Sequence, residues 1–224
     1  LVASCIRPVS DGMVVHTESE RARKSRELVV ELLVADQPDI KHDASSHFWE
    51  MAALNGVEKS RFPAKEPEKG PLLDDSHVAM RVNLDACIQC NMCVRACRDV
   101  QVNDVIGMAG RGATSKVVFD QDDPMGQSSC VACGECVQAC PTGALMPATV
   151  LDENQEGDSK DYDREVKSVC PYCGVGCQIS FKVKDDKIKY VEGIDGPANE
   201  NRLCVKGRFG FAYIHHPHRL TKPL

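Results

Sequence analysis

Apolar residues recur at helical spacing near the start of the chain. Ala22, Leu28, Val29, Leu32 and Leu33 fall largely on one face, which predicts a helix over about 20–35. Thr17 and Glu20, three residues apart, fit a capping box for its first turn. A second, shorter helix is predicted from Ser46 (SHFWEMAALNG), ending at Asn55-Gly56, with His47 a surface residue at its start. The pattern then changes period. SKVVFD reads as a short strand, and ISFKVKDDKIKYVEG alternates as a β-hairpin turning at Asp185-Asp186. Two stretches break the patterning: 59–77, rich in proline and charge, and 151–165, polar and acidic, both read as linkers. The expected organisation is therefore a turn-rich segment at 1–15, a helical segment at 16–58, and two further units at 78–150 and 166–224, an α+β chain of small domains in series.

Length agrees: 224 residues exceed the roughly 150 of one average domain. The longest apolar runs, Leu28-Val29-Val30 and Leu32-Leu33-Val34, are far short of the roughly 20 residues of a membrane span. No secretory leader pattern is visible, and a start at Leu1 is what a piece of a longer polypeptide would show. A net charge of −6 gives little support for binding nucleic acid through its phosphates. What changes the picture is cysteine, 13 of it in a chain only 5% aromatic. Small domains with so little apolar bulk usually need a staple, either disulfide or metal.

The cysteines come in groups. Cys87, Cys90, Cys93 and Cys97 have the spacing C-x2-C-x2-C-x3-C, and Cys130, Cys133, Cys136 and Cys140 repeat it, with Pro141 after the last. Disulfides rarely form within so tight a run, and zinc ribbons use two separated pairs. The run with its terminal proline is the bacterial ferredoxin signature for [4Fe–4S] clusters, in which the fourth cysteine ligates the other cluster. The expected sets are therefore Cys87, Cys90, Cys93 and Cys140 for one cluster, and Cys130, Cys133, Cys136 and Cys97 for the other. Arg98 stands where Pro141 stands in the second copy, which alters the turn but no ligand. Cys170, Cys173 and Cys177 with the remote Cys204 offer four more thiolates around a third centre, where spacing alone leaves both a [4Fe–4S] cluster and zinc open. The glycines of CGVGC would let the backbone approach a cluster or serve simply as tight turns. Cys5 is left over, either a small buried hydrophobe or the last ligand of a cluster whose other ligands lie upstream.

With these residues in hand, CIQCNMCVRACRDVQVNDVIGMAGRG, SCVACGECVQACPTGAL and VCPYCGVGCQISF, followed by LCVKGRFGF and HHPHRLTKPL, make 78–224 closely resemble the alpha (catalytic) subunit of soluble NAD-dependent molybdenum- or tungsten-containing formate dehydrogenases. LVASCIRPVSDGMVVHTESE resembles the end of that family's plant-type [2Fe–2S] domain, which would make Cys5 the fourth [2Fe–2S] ligand, its partners upstream. Related subunits carry a His-plus-three-Cys cluster after the following helix. ADQPDIKHDASSHFWEMAALNG keeps His42 and His47 but no cysteine, so that cluster is expected to be lost. The resemblance implies three [4Fe–4S] clusters, the third in the N-terminal lobe of a bis-molybdopterin oxidoreductase domain. It implies a place for Lys206 between that cluster and the pterin; alone, Lys206 reads as a solvated surface charge. His215, His216 and His218 would be a connection rather than a metal site.

The implied activity is oxidation of formate to carbon dioxide, or its reverse, at a molybdenum or tungsten bis-molybdopterin guanine dinucleotide centre. Electrons would pass from there to the Cys170 cluster, the paired clusters and the [2Fe–2S] site near Cys5. A flavin-binding (FMN) beta subunit would then reduce NAD, in the cytoplasm. The residues that activate formate would lie beyond Leu224, in the rest of the catalytic domain. Other readings are a complex I-type subunit, which the paired runs and CVKGR argue against, an iron hydrogenase accessory domain, and a free-standing ferredoxin-like carrier.

Overall fold

A computed structural model describes residues 1–39, 41–64, 73–151 and 161–223. Helix α1 runs Glu20–Ala35 and α2 runs His47–Leu54. The cap of α1 is not Thr17 but Ser19, whose side-chain oxygen accepts from Ala22 N at 3.3 Å. Ser19 sits directly before the first helical residue, where an oxygen can reach the free amides of the first turn. Thr17 and Glu18 instead hold Arg26, through the Thr17 carbonyl and the Glu18 carboxylate. Helix α2 starts after Ser46 and stops at Asn55, and Gly56 follows in the left-handed conformation (φ 69°). The two helices meet through Phe48, Trp49 and Ala52 of α2 and Val30, Leu33 and Val34 of α1. Val29 and Leu32, placed on the buried face by their spacing, are instead 55% and 50% exposed. Sixteen residues of α1 against eight of α2 leave a face longer than its partner can cover.

The next unit is a small sheet with helices on it. Strand β1 (Leu73–Asp74) pairs with β2 (Met80–Asn83), and β2 pairs antiparallel with β5 (Leu145–Pro147). Thus the stretch read as a linker up to residue 77 contributes a strand at its end. Between β2 and β5 lie helix α3 (Met92–Arg95), the hairpin of β3 (Ile106–Ala109) and β4 (Lys116–Phe119), and helix α4 (Glu135–Ala139). The pairing of β2 with β5 closes the unit by joining its two ends. Its core gathers Met80, Val82, Val94, Val105, Ile106, Phe119, Met125, Val137 and Leu145 around the thiols of Cys93, Cys97 and Cys136.

Helix α5 (Ala148–Leu151) leads onward, and the last unit is a three-stranded antiparallel sheet of β6 (Arg164–Val169), β7 (Gln178–Lys184) and β8 (Lys187–Gly193). The turn joining β7 and β8 is at Asp185-Asp186, both left-handed (φ 50° and 59°), as a two-residue hairpin loop of the primed type requires. Ile179, Val191, Leu203, Phe211 and Cys170 form a separate core. Short helix α6 (Val205–Phe209) closes the sheet's end and reaches back to the preceding unit. Met146, Val150 and Tyr190 make a small apolar bridge between the two units, with Thr149 Oγ1 donating to the Lys189 carbonyl at 2.7 Å. Among the described residues no helix is long and apolar enough to cross a membrane.

Candidate iron–sulfur sites

The two cysteine runs fold alike because each threads a left-handed turn and then a helix. Gln89 and Ala132, with φ of 56° and 57°, turn the chain after the first thiol. That turn aims each residue's N–H back at the sulfur, Gln89 N at Cys87 Sγ and Ala132 N at Cys130 Sγ, both 3.4 Å. Asn91 and Gly134, φ 62° and 71°, then cap α3 and α4, which bring the third thiol of each run inward. Asparagine and glycine are the residues that adopt this backbone at least cost.

The runs part company after the helix. Beyond α3 the chain widens into a π-helical turn over Ala96–Val100 that contains Cys97, and Val105 N donates to Cys97 Sγ at 3.4 Å. Beyond α4, Cys140 is extended (φ −73°, ψ 118°), as a residue before proline must be. The difference between Arg98 and Pro141 is thus a helical exit against an extended one. Both exits carry the fourth thiol across to the other run. Cys87, Cys90, Cys93 and Cys140 line one cavity with Leu84, Ile88, Val117 and Leu145. Cys97, Cys130, Cys133 and Cys136 line a second, with Asn103, Val105 and Ile106.

The third group is shallower. Cys170, Cys173 and Cys204 are the charge neighbours of Cys177, and Cys170 N donates to the Cys177 carbonyl at 2.8 Å, closing the loop between them. Cys177 and Cys204 border an open hollow with Asn199, Arg202 and Leu203, while Cys170 is buried and Cys173 exposed. Of the two glycines in CGVGC, Gly176 takes a left-handed turn (φ 70°), and no protein atom crowds either one. Lys206 lies on α6, exposed, two residues after Cys204. Cys5 is exposed in a turn near the start of the chain.

The electrostatics show what these thiols need. Burial pushes the Cys93 thiol up to about 12, with Cys140, Cys87 and Cys90 adding to the effect. Burial raises Cys136 well above the ordinary thiol value too, helped by Cys133, Cys93, Cys130 and Cys97. Cys133 is also raised by burial, against the pull of the Glu135 N–H and the Arg208 guanidinium. Left alone, such thiols stay protonated and inert; coordinated metal deprotonates them outright. All 13 cysteines are free of disulfides. Among the described residues no three His, Cys, Asp or Glu side chains are set to grip one ion. The thiols of the two runs line two cavities, and the N–H groups of Gln89, Ala132 and Val105 point at sulfurs there.

The cysteine-free stretch at 35–56 packs against the paired-run unit. His42 is half-buried beside Asn83 (Nδ2 to Nδ1, 3.3 Å), and Asp43 is fully buried, Ser45 donating to it through both N and Oγ. A Cβ on Gly143 would fall 2.7 Å from Asp43 Cβ, so this corner presses on the loop after Cys140. His47 is an exposed first residue of α2, with its Nδ1 3.4 Å from the Glu50 carboxylate. His215 accepts from Ile188 N at 3.3 Å, which ties the segment after α6 to the sheet.

Sequence reasoning missed Arg208 and Gln138, which join the two units; only the fold brings them together. Arg208 is 2% exposed and donates through Nε to the Cys133 carbonyl at 2.8 Å.

Two comparisons with protein families define the class. Residues 86–144 match the "4Fe-4S dicluster domain", and residues 163–216 match the "Molybdopterin oxidoreductase Fe4S4 domain". The chain thus carries iron–sulfur domains of the [4Fe–4S] kind found in oxidoreductases, over these two stretches. Among individual proteins it is similar to a "Putative formate dehydrogenase" of Staphylococcus haemolyticus, 34% identical over 179 residues, covering 64% of this chain and 18% of the relative. One of the same name from Staphylococcus aureus (strain USA300) is 31% identical over 204 residues, covering 75% of this chain and 20% of the relative. The chain thus spans about a fifth of the length of these curated relatives. A solved structure, an NAD+-reducing [NiFe]-hydrogenase in its H2-reduced state, superposes with a TM-score of 0.59 at 26% identity, covering 66% of this chain and 64% of that one.

Proposed function

We propose that the chain is the electron-relay portion of the catalytic subunit of an NAD-dependent molybdenum or tungsten formate dehydrogenase. Cys87, Cys90, Cys93 and Cys140 hold one [4Fe–4S] cluster, Cys97, Cys130, Cys133 and Cys136 a second, and Cys170, Cys173, Cys177 and Cys204 a third. Cys5 completes a [2Fe–2S] site with thiols upstream. The clusters, when bound, accept and release single electrons; a pterin-bound metal in the rest of the catalytic domain would exchange two with formate, and a flavin subunit would pass them to NAD. The observation that carries this reading is the exchange of fourth thiols, with Cys140 at the cavity of the first run and Cys97 at that of the second.

What the chain's own residues do follows from the geometry. Apolar walls of Leu84, Val117, Val105 and Ile106 keep water from the two inner cavities, which lowers the energy of reorganisation around a moving charge. Amides of Gln89, Ala132 and Val105 donate to sulfur and favour the more negative, reduced form. The third site, with Cys173 and Cys204 exposed and Lys206 beside them, faces outward, as a site that receives electrons from a neighbouring domain must.

The test is anaerobic purification of the full-length protein, followed by iron and sulfide analysis and electron paramagnetic resonance. Formate should reduce the cluster signals without added mediator. The superposition on the hydrogenase favours a second reading, an iron–sulfur subunit serving a hydrogenase. Hydrogen offered in place of formate separates the two: reduction by hydrogen and not by formate overturns the first.

A further inference from the structure

The pseudo-symmetry of the paired runs fails before the helix as well as after it. Asn91, the cap of α3, is exposed; its counterpart Gly134 is buried against α6. A Cβ on Gly134 would fall 2.2 Å from Arg208 Cδ and 2.7 Å from Phe209 Cζ. Only the second run, then, has been shaped to receive the third unit. Arg208 spends its whole guanidinium there: Nε on the Cys133 carbonyl at 2.8 Å, one terminal nitrogen on Gln138 Oε1 at 2.7 Å, the other on Glu135 Oε2 at 3.2 Å. Gln138 adds two bonds across the same joint, accepting from Gly193 N at 3.1 Å and donating to the Asn201 carbonyl at 3.2 Å.

Building on the iron–sulfur reading above, we propose that Arg208 is a positioning residue with two effects. It docks the third-cluster unit on the backbone of Cys133, and its charge makes the cluster of Cys97, Cys130, Cys133 and Cys136 easier to reduce than its twin. A guanidinium is always charged and, at 2% exposure, is poorly screened by water. It lies against the main chain of a ligand residue, so an electron added to that cluster is stabilised. Cluster potentials respond to this kind of nearby charge and hydrogen bonding. Glu135, on the same helix, supplies the opposite charge and works against it.

These opposed signs give the experiment. The full-length cluster-loaded protein is titrated with redox mediators, and the midpoints of the paired clusters are followed by electron paramagnetic resonance. Arg208→Met should shift the reduction equilibrium of one paired cluster about tenfold toward the oxidised form, a midpoint roughly 59 mV lower for one electron. Glu135→Gln should move the same cluster the other way. Arg208→Lys keeps the charge but loses the planar fork, so its midpoint stays near wild type while the amides of α4 exchange hydrogen faster. Midpoints that do not move, or that move in one direction in both Arg208→Met and Glu135→Gln, overturn the proposal. Should Arg208→Met fail to assemble, the other two variants decide: an unmoved Glu135→Gln or a fallen Arg208→Lys is equally fatal. A wild-type protein without any iron–sulfur signal would sink the parent reading, whereas normal wild-type signals with unmoved midpoints sink only the role of Arg208.

Discussion

Gly134→Ala is the most informative single perturbation of the joint between the paired-run unit and the last sheet. Two costs apply at this position and only one at its counterpart. The left-handed backbone (φ 71°) costs an alanine roughly 1–2 kcal/mol. The added methyl would also strike Arg208 Cδ and Phe209 Cζ at 2.2 and 2.7 Å. Neither atom can swing aside, since Arg208 is held by three hydrogen bonds and Phe209 ends in a rigid ring. Overpacking of this sort adds about 1–3 kcal/mol, for a total of about 2–5 kcal/mol. Asn91→Ala meets the same backbone at an exposed site and should cost only about 1 kcal/mol. For a chain of this size each kcal/mol lowers the melting temperature by about 2–4 °C. Because bound cofactors spoil two-state unfolding, the comparison is one of ranks: the apparent melting temperature of the cluster-loaded protein should fall well further in Gly134→Ala than in Asn91→Ala. If Asn91→Ala proves equally or more damaging, α6 does not press on Gly134 as described.

Three further outcomes are expected. Cys97→Ser should remove about four of the iron atoms and extinguish the signal of the cluster held by the second run, leaving that of its own run; the opposite assignment, read by cysteine-specific spectra of the two single variants Cys97→Ser and Cys140→Ser, refutes the exchange of thiols. Burial lowers the titration points of His42 and His77, with Asp43 and Asp74 respectively pulling the other way. Both imidazoles therefore prefer to be neutral in the fold, so stability is full above about pH 6.5 and declines as pH falls below it toward their folded values; melting at about pH 7.5 and 5.5 should show the loss, and His77→Asn should shrink it. Lys206→Met, at an exposed position, should leave melting within about 0.5 kcal/mol of wild type while slowing reduction by formate and not reduction by a mediator; equal rates with formate would return Lys206 to the role of a surface charge.

How legible this was depends on the range of each interaction. The helices at 20–35 and 47–54 and the Asp185-Asp186 hairpin are written in local periodicity and turn chemistry, and they stand where the pattern puts them. The grouping of the paired-run thiols at two cavities follows from their tight, repeated spacing; which cluster each holds belongs to the proposal. The error at Thr17 came from placing the cap two residues too early, when Ser19 stands directly before the first helical residue. The outward turn of Val29 and Leu32 could not be read from α1, since it depends on how short α2 is. Strands β1, β2 and β5 were invisible for a like reason: two to four residues each, they carry too little periodicity of their own, and β2 meets β5 only across more than sixty positions of sequence. Arg208 and Gln138 have no motif of their own; only two docked surfaces give them meaning.

The exit of Cys140 into the first run's cavity has a consequence for synthesis. When the ribosome has released Cys87, Cys90 and Cys93, the cage they begin is still open on one side, and β2 still lacks β5. Some fifty residues must emerge before either gap is filled. An inorganic core delivered sooner would meet three sulfurs and solvent, so the chain's own order of emergence sets the moment at which loading becomes durable.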